Sequence, residues 1–295
     1  MQFLVFAITY PILWLLSRLP MRILYLISDF LFLMVYYVFK YRKNVVLENL
    51  ELAFPEKTKS ERNTIAKKFF KHFTDFFIET IKSLSISKKE ILKRYHYENP
   101  ELVNKYLKEG RSIALVGAHQ ANWEWSVGSP LVLFSKVNGA YTSLGNPFFD
   151  KVVKKARERF GFVCYKSTKT VKLIHKEYTN KIQGIYLLLS DQSPQLSKAT
   201  YWNEFLGITV PIHTGAEALA KKFNLVVINL STTKIKRGYY ESKFELITDN
   251  PKQVEKHEIT DKYIQITEQN IRKQPEFYLW SHKRFKHRNK FKASS

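Results

Sequence analysis

Ser112-Ile113-Ala114-Leu115-Val116-Gly117-Ala118-His119-Gln120-Ala121-Asn122-Trp123-Glu124-Trp125 is the stretch whose reading decides the fold. Residues 112–116 form a short apolar run that predicts a buried strand, and residues 122–134 predict a helix interrupted near Gly128 and Pro130. His119 then falls at the C-terminal end of a strand, beside a helix N-terminus, where open α/β sheets place their ligands. In such a turn a carboxylate can reach the imidazole and hold one tautomer, leaving the other nitrogen to take a proton near neutral pH. His119 is therefore the candidate general base and Glu124 its orienting partner. The bland alternative is a structural His–Glu pair.

Outward from this stretch, strand and helix signals alternate. Further strands are expected near residues 139–142, 162–165, 184–189, 225–230 and 240–247, and helices near 101–108, 150–160, 171–178, 214–223 and 260–273. The pattern predicts an α/β fold with a mixed or largely parallel central sheet flanked by helices. Residues 60–84 carry Ile65, Phe69, Phe73, Phe76, Phe77, Ile81 and Leu84 at helical spacing, with Lys67, Lys68, Lys71 and His72 expected mostly elsewhere on the helix surface. A core helix is the expectation there, with a membrane-surface helix as the alternative.

The N-terminus is apolar in two runs, residues 1–16 and 23–39, separated by Arg18 and Arg22 and followed by Lys40, Arg42 and Lys43. At about 1.5 Å per residue each run gives roughly 24–26 Å of helix, slightly short of a hydrocarbon core of about 30 Å. One tilted span with an interfacial helix, two spans, and a buried helical pair all fit. The flanks do not suit a cleaved signal peptide. Tyr36, Tyr37 and Tyr41 beside the basic cluster predict an interfacial belt facing an anionic leaflet. The expected organisation is a membrane anchor over residues 1–41 and a catalytic domain over 42–295.

A net charge of +22, from 48 Lys+Arg against 26 Asp+Glu, calls for an anionic partner: lipid, acidic carrier protein or nucleic acid. A hydrophobic content of 45% excludes general disorder. The single cysteine, Cys164, cannot form an internal disulfide, and a buried structural role is expected for it rather than a nucleophilic one. His119, Glu124, Asp191, His213 and His282 lack zinc-hydrolase spacing, so no metal and no cofactor is expected. No glycine-rich phosphate loop is present.

The stretch around His119 resembles the H-x-x-x-x-D/E motif of the lysophospholipid acyltransferase superfamily, and its Asn122-Trp123-Glu124 ending resembles the branch of late lipid A acyltransferases. Further blocks follow in the order of that branch and cover nearly the whole chain. Upstream are Arg42-Lys43-Asn44-Val45-Val46, Asn49-Leu50 and Ala53-Phe54-Pro55-Glu56. Next come Tyr141, Asn146-Pro147, Asp150 and the Arg157/Arg159 pair before Gly161, then Ser190-Asp191-Gln192, Phe205-Leu206-Gly207 and Thr214-Gly215. The last is Pro275-Glu276-Phe277-Tyr278-Leu279-Trp280-Ser281-His282-Lys283-Arg284-Phe285-Lys286.

The resemblance implies direct acyl transfer from acyl-carrier-protein, or another acyl thioester, to an anionic lipid A precursor at the cytoplasmic face of an inner membrane. Acylation of another lysolipid or an amino-acid lipid is the alternative within that chemistry; a membrane-tethered nucleic-acid binder is the alternative from another class. Arg157 or Arg159 is implied in substrate binding, and residues two apart on a helix diverge, so at most one should face the site. Asp191 and Gln192 are candidates for positioning the acceptor, against a capping role for Asp191. Asn122, Trp123, His282 and Arg284 complete the candidate substrate-binding set. An ordinary solvated basic face remains the alternative for the arginines.

Overall fold

The computed structural model describes residues 1–291. The strands are β1 (Tyr95–Tyr97), β2 (Ile113–Gly117), β3 (Val137–Tyr141), β4 (Phe162–Lys166), β5 (Ile185–Leu189), β6 (Trp202–Phe205), β7 (Ile208–Pro211), β8 (Val226–Lys236) and β9 (Tyr239–Thr248). Seven of them make one mixed sheet in the order β1-β9-β8-β2-β5-β3-β4, parallel except for the β8–β9 hairpin. β6 and β7 form a separate antiparallel pair. Their two-residue turn puts Leu206 at φ 53° and Gly207 at φ 78°, the left-handed geometry of a tight hairpin.

β2 lies between β5 and β8, and all five of its residues are buried. That environment explains its continuous apolar run, since a central parallel strand is covered on both faces. Helices α1 (Gln2–Arg18), α2 (Met21–Leu33), α3 (Lys43–Ala53), α4 (Lys59–Lys82), α5 (Lys88–Arg94) and α6 (Pro100–Lys108) precede β2. Later helices are α7 (Pro147–Glu158), α8 (Thr170–Thr179), α9 (Gly215–Phe223) and α10 (Glu258–Lys273). The segment after His119 is a 3-10 helix, Trp123–Leu131, containing Pro130, instead of the expected α-helix.

α4 begins with a reciprocal capping box: the Glu61 amide donates to the Thr58 hydroxyl, and the Thr58 amide donates to the Glu61 carboxylate at 2.7 Å. Phe69, Phe70, Phe73 and Phe76 are buried as a core helix requires, whereas Phe77 is exposed. His72, expected on the surface, is 4% exposed and sits inside the fold. It does so because α4 is covered on more than one side, by α2, α3 and the segment after α10.

α1 leaves Phe3, Leu4, Ile8, Ile12 and Leu15 exposed, and the outer side of α2 adds Leu26 and Phe30. Residues Met21–Val38 form one helix, turning π-helical at Met34–Val38, that is long and apolar enough to cross a membrane, with mean hydropathy 1.6. Its inner side belongs to the protein core: Leu24, Phe32 and Tyr36 are buried. Tyr36 thus leaves the expected interfacial belt, stacking on Phe32 and meeting Phe70 edge-on, while Tyr37 and Tyr41 stay exposed. Polar contacts also cross residue 41. Ser28 donates to Asp75 at 2.8 Å, and Arg237 bridges Asp29 and Asp75 at 2.8 and 2.6 Å.

Candidate active site

Gly117 at the end of β2 is paired in register with Leu189 at the end of β5. Two residues beyond each, His119 and Asp191 leave the sheet side by side, and His119 Nδ1 lies 2.7 Å from Asp191 Oδ1. Asp191 is 1% exposed, whereas one fifth of the His119 side chain remains open. Burial by itself raises the pKa of Asp191, but the neighbouring imidazole and hydrogen bonds outweigh it and hold the carboxyl below its usual range. For His119, burial lowers the pKa, and the Asp191 carboxylate with its hydrogen bond more than reverses this, so the net shift is upward. An ionised Asp191 takes the Nδ1 proton, which leaves the Nε2 lone pair as the basic site.

This arrangement corrects two expectations. The bond that orients the imidazole comes from Asp191 and not from Glu124, and Asp191 is turned onto His119 instead of presenting itself to an acceptor. The cause is the turn after β2. Ala121 adopts φ 53° and Asn122 φ −109°, so the chain does not continue as a helix that would bring Glu124 back over the ring. Glu124 instead receives two parallel hydrogen bonds from Arg157, Nε to Oε2 at 2.9 Å and Nη2 to Oε1 at 2.6 Å. Its charge still acts on His119, in the direction that raises the imidazole pKa. Left-handed backbone at a residue with a Cβ costs about 1–2 kcal/mol, so Ala121 is held by its surroundings.

The C-terminal signature supplies part of that hold. The Ala121 amide donates to Phe277 O at 2.8 Å and the Leu279 amide to His119 O at 3.1 Å. Trp280 is fully buried. His282 Nε2 accepts from the Ser193 amide at 3.2 Å, and burial pushes its pKa down to about 4. Arg284 is 1% exposed, donates to Pro211 O at 3.3 Å and covers the Phe205 ring at 4.6 Å. Both residues thus brace the loop behind Asp191, away from the open cavity. Asn122, also expected at the substrate, is fully buried; its Oδ1 accepts from the Trp125 amide and its Nδ2 donates to Glu79.

A cavity of about 830 Å³ opens in front of His119. Glu124, Arg157 and Gln192 line it, together with Lys198 and His213, two residues that sequence reasoning did not select for binding. Trp123 meets the His119 ring edge-on at 5.2 Å and stacks on Phe76 at 4.1 Å. Apolar side chains line the cavity as well: Val127, Phe162, Cys164, Leu187 and Leu189. Burial pushes the Cys164 thiol up to about 11, which leaves it protonated at neutral pH and unsuited to nucleophilic attack. Arg159 lies outside the cavity, donating to Ser83 O at 2.9 Å near Arg18. The two arginines diverge as their spacing on α7 and its C-terminus requires.

A sequence-family profile described as "Bacterial lipid A biosynthesis acyltransferase" matches residues 2–287. The lipid A biosynthesis myristoyltransferase of Escherichia coli K12 is 24% identical over 156 residues, which cover 52% of this chain and 47% of that protein. The lipid A biosynthesis acyltransferase 2 of Shigella flexneri is 23% identical over 56% of this chain and 52% of its own length. These two alignments span about half of the relatives' length. The match to the lipid A biosynthesis palmitoleoyltransferase of Escherichia coli K12 is longer, 23% identical over 94% of this chain and 89% of that protein.

Proposed function

The chain belongs to the bacterial lipid A biosynthesis acyltransferase family, and on that premise we propose that it moves a fatty acyl chain from an acyl thioester to a hydroxyl of an anionic lipid A precursor. The observation that carries the reading is the His119–Asp191 pair, 2.7 Å apart, at a cavity lined by both polar and apolar side chains. The apolar lining suits an acyl chain, and Arg157, Lys198 and Gln192 suit an anionic saccharide headgroup.

In this mechanism His119 Nε2 removes the proton from the acceptor hydroxyl as its oxygen attacks the thioester carbon. Asp191 stabilises the imidazolium that forms. The tetrahedral intermediate collapses with cleavage of the carbon–sulfur bond, and the imidazolium returns the proton to the thiolate. Ester and free thiol result, with no covalent enzyme intermediate. Arg157, a cation lining the same cavity, is the proposed stabiliser of the oxyanion charge. Glu124 holds Arg157 in place and adds negative charge that favours the imidazolium.

Acyl-carrier-protein is the proposed donor, its acidity being complementary to a chain of net charge +22. The exposed apolar side chains of α1 and the outer face of α2 are proposed to seat the protein in the inner membrane, with the catalytic domain on the cytoplasmic side. The test is lipid mass spectrometry after expression in a strain making underacylated lipid A. A mass gain of one acyl group with wild type, absent with His119→Ala, supports the reading. An unchanged lipid A profile with abundant folded protein would overturn it.

A further inference from the structure

The turn that carries His119 into the cavity rests on two buried polar side chains of α4 that the proposed chemistry does not use. His72 Nε2 lies 3.1 Å from Ala121 O, and its Nδ1 lies 3.1 Å from Lys234 Nζ. The ammonium can only donate, so Nδ1 accepts and Nε2 carries the proton that goes to Ala121 O. Seven residues further along the helix, fully buried Glu79 accepts from Asn122 Nδ2 at 2.6 Å and Tyr240 OH at 2.7 Å on one oxygen. Its other oxygen accepts from Tyr25 OH of α2 at 2.8 Å. These groups meet consecutive residues, Ala121 and Asn122, and Ala121 holds the left-handed φ of 53°. Strained backbone persists where surrounding contacts over-determine it, and it gathers at functional sites.

We propose that Glu79 and His72 are positioning residues for acyl transfer, clamping the Ala121–Asn122 turn so that His119 and Trp123 face the cavity, with Tyr25 joining the membrane-seated helix α2 to the same clamp. This rests on His119 being the base. Neither residue lines the cavity, so each acts through the loop, His72 at Ala121 O and Glu79 at the Asn122 side chain. Three donors converge on Glu79, and an amide at position 79 keeps its oxygen for Asn122 and Tyr240 only by turning its nitrogen to the Tyr25 hydroxyl, which must then accept. Glu79→Gln therefore keeps the shape of the side chain while weakening its hold on the turn, since hydrogen bonds to a neutral amide are weaker than those to a carboxylate.

The test measures kcat, KM and thermal unfolding of full-length protein in detergent, on an acyl thioester and detergent-dispersed lipid A precursor, below the Tm of every variant. Glu79→Gln should lower kcat by about 10²-fold, the scale expected when a reacting group is displaced by about 1 Å, and leave KM for the thioester nearly unchanged. Adding Ala121→Gly, which removes the Cβ that makes the turn strained, should restore several-fold of kcat in Glu79→Gln and change wild type little. Wild-type kcat in Glu79→Gln, or a loss that Ala121→Gly does not soften, overturns the clamp. Should Glu79→Gln fail to fold, His72→Leu carries the same expectations and the same overturning results. His119→Ala run in parallel separates the two readings: an active His119→Ala sinks the base assignment, whereas an inactive His119→Ala with a fully active Glu79→Gln sinks the clamp alone.

Discussion

Arg157 grips both oxygens of Glu124, at 2.9 and 2.6 Å, while Arg159, two positions along the chain, turns away to donate to Ser83 O. The pair is mostly sheltered, with 24% of the Arg157 side chain and 15% of the Glu124 side chain exposed, so it is less screened than a surface ion pair.

The first prediction is a marked asymmetry between these arginines. Arg157→Ala leaves a sheltered carboxylate without its partner, and removing one side of a buried pair costs about 3–5 kcal/mol; part of that cost will fall on the transition state. Turnover should drop at least about tenfold, which is 1.4 kcal/mol. Arg157→Lys should recover little, because an ammonium cannot make the two-pronged contact. Arg159→Ala should stay near wild type. Steady-state transfer assays on all three variants check this, and equal effects at the two positions would contradict the geometry.

The pH profile follows from the raised pKa of His119. The base works only when deprotonated, so a pKa above the usual value of about 6.5 places the acid limb of kcat/KM above that pH, with activity lost as pH falls through it. Asp191→Asn removes the charge that raises the pKa and leaves the lowering effect of burial. Its acid limb should move to lower pH, with a smaller maximal rate because the imidazolium loses its counter-charge. An unmoved limb in Asp191→Asn would remove Asp191 from control of the base. His119→Ala should cost about 10²–10⁴ in rate.

Gly139 gives a third test. A Cβ built there would collide with the Phe162 ring, and Phe162 lines the cavity. Gly139→Ala must push the ring into the cavity or part β3 from β4, and overpacking of this kind costs about 1–3 kcal/mol. A lower denaturant midpoint is expected, with a larger loss of activity on long acyl donors than on short ones. Equal losses for all chain lengths would show that the acyl group does not pass this ring.

The sheet was legible because β2 and β5 at its centre are short apolar runs and β9 alternates apolar with polar residues, and each predicted strand overlaps an observed one. β1, β6 and β7, three to four residues each, were missed, because pieces that short carry no usable period. The proposed base, His119, was conspicuous in the sequence because an imidazole ends a buried apolar strand. Its partner was not. Asp191 is 72 residues away in sequence, and only the β2–β5 pairing shows that the two strand ends are neighbours. A local search therefore settled on Glu124. His72 and Glu79 were hidden by the phenylalanine stripe of α4, which suggests one apolar face where the structure buries polar side chains as well. A glutamate within a helix predicted to be core was the available signal.

The last prediction concerns the boundary expected at residue 41. Removing residues 1–20 deletes α1, whose apolar side chains are largely exposed and whose front end touches Phe148 and Phe149 through Phe6. Cooperative unfolding should survive that cut, and membrane retention should weaken. Removing residues 1–41 also strips Leu24, Phe32 and Tyr36 from the core and takes Tyr25 from Glu79 and Ser28 from Asp75. Each large apolar side chain contributes about 1.5–3 kcal/mol on burial, and a whole domain has only about 5–15 kcal/mol to lose. Two buried carboxylates would lose donors besides. The longer deletion should therefore lack a cooperative thermal transition and have no transfer activity even on detergent-dispersed acceptor. A 42–295 fragment that unfolds at the wild-type Tm would show that α2 is an anchor alone and that the core closes without it.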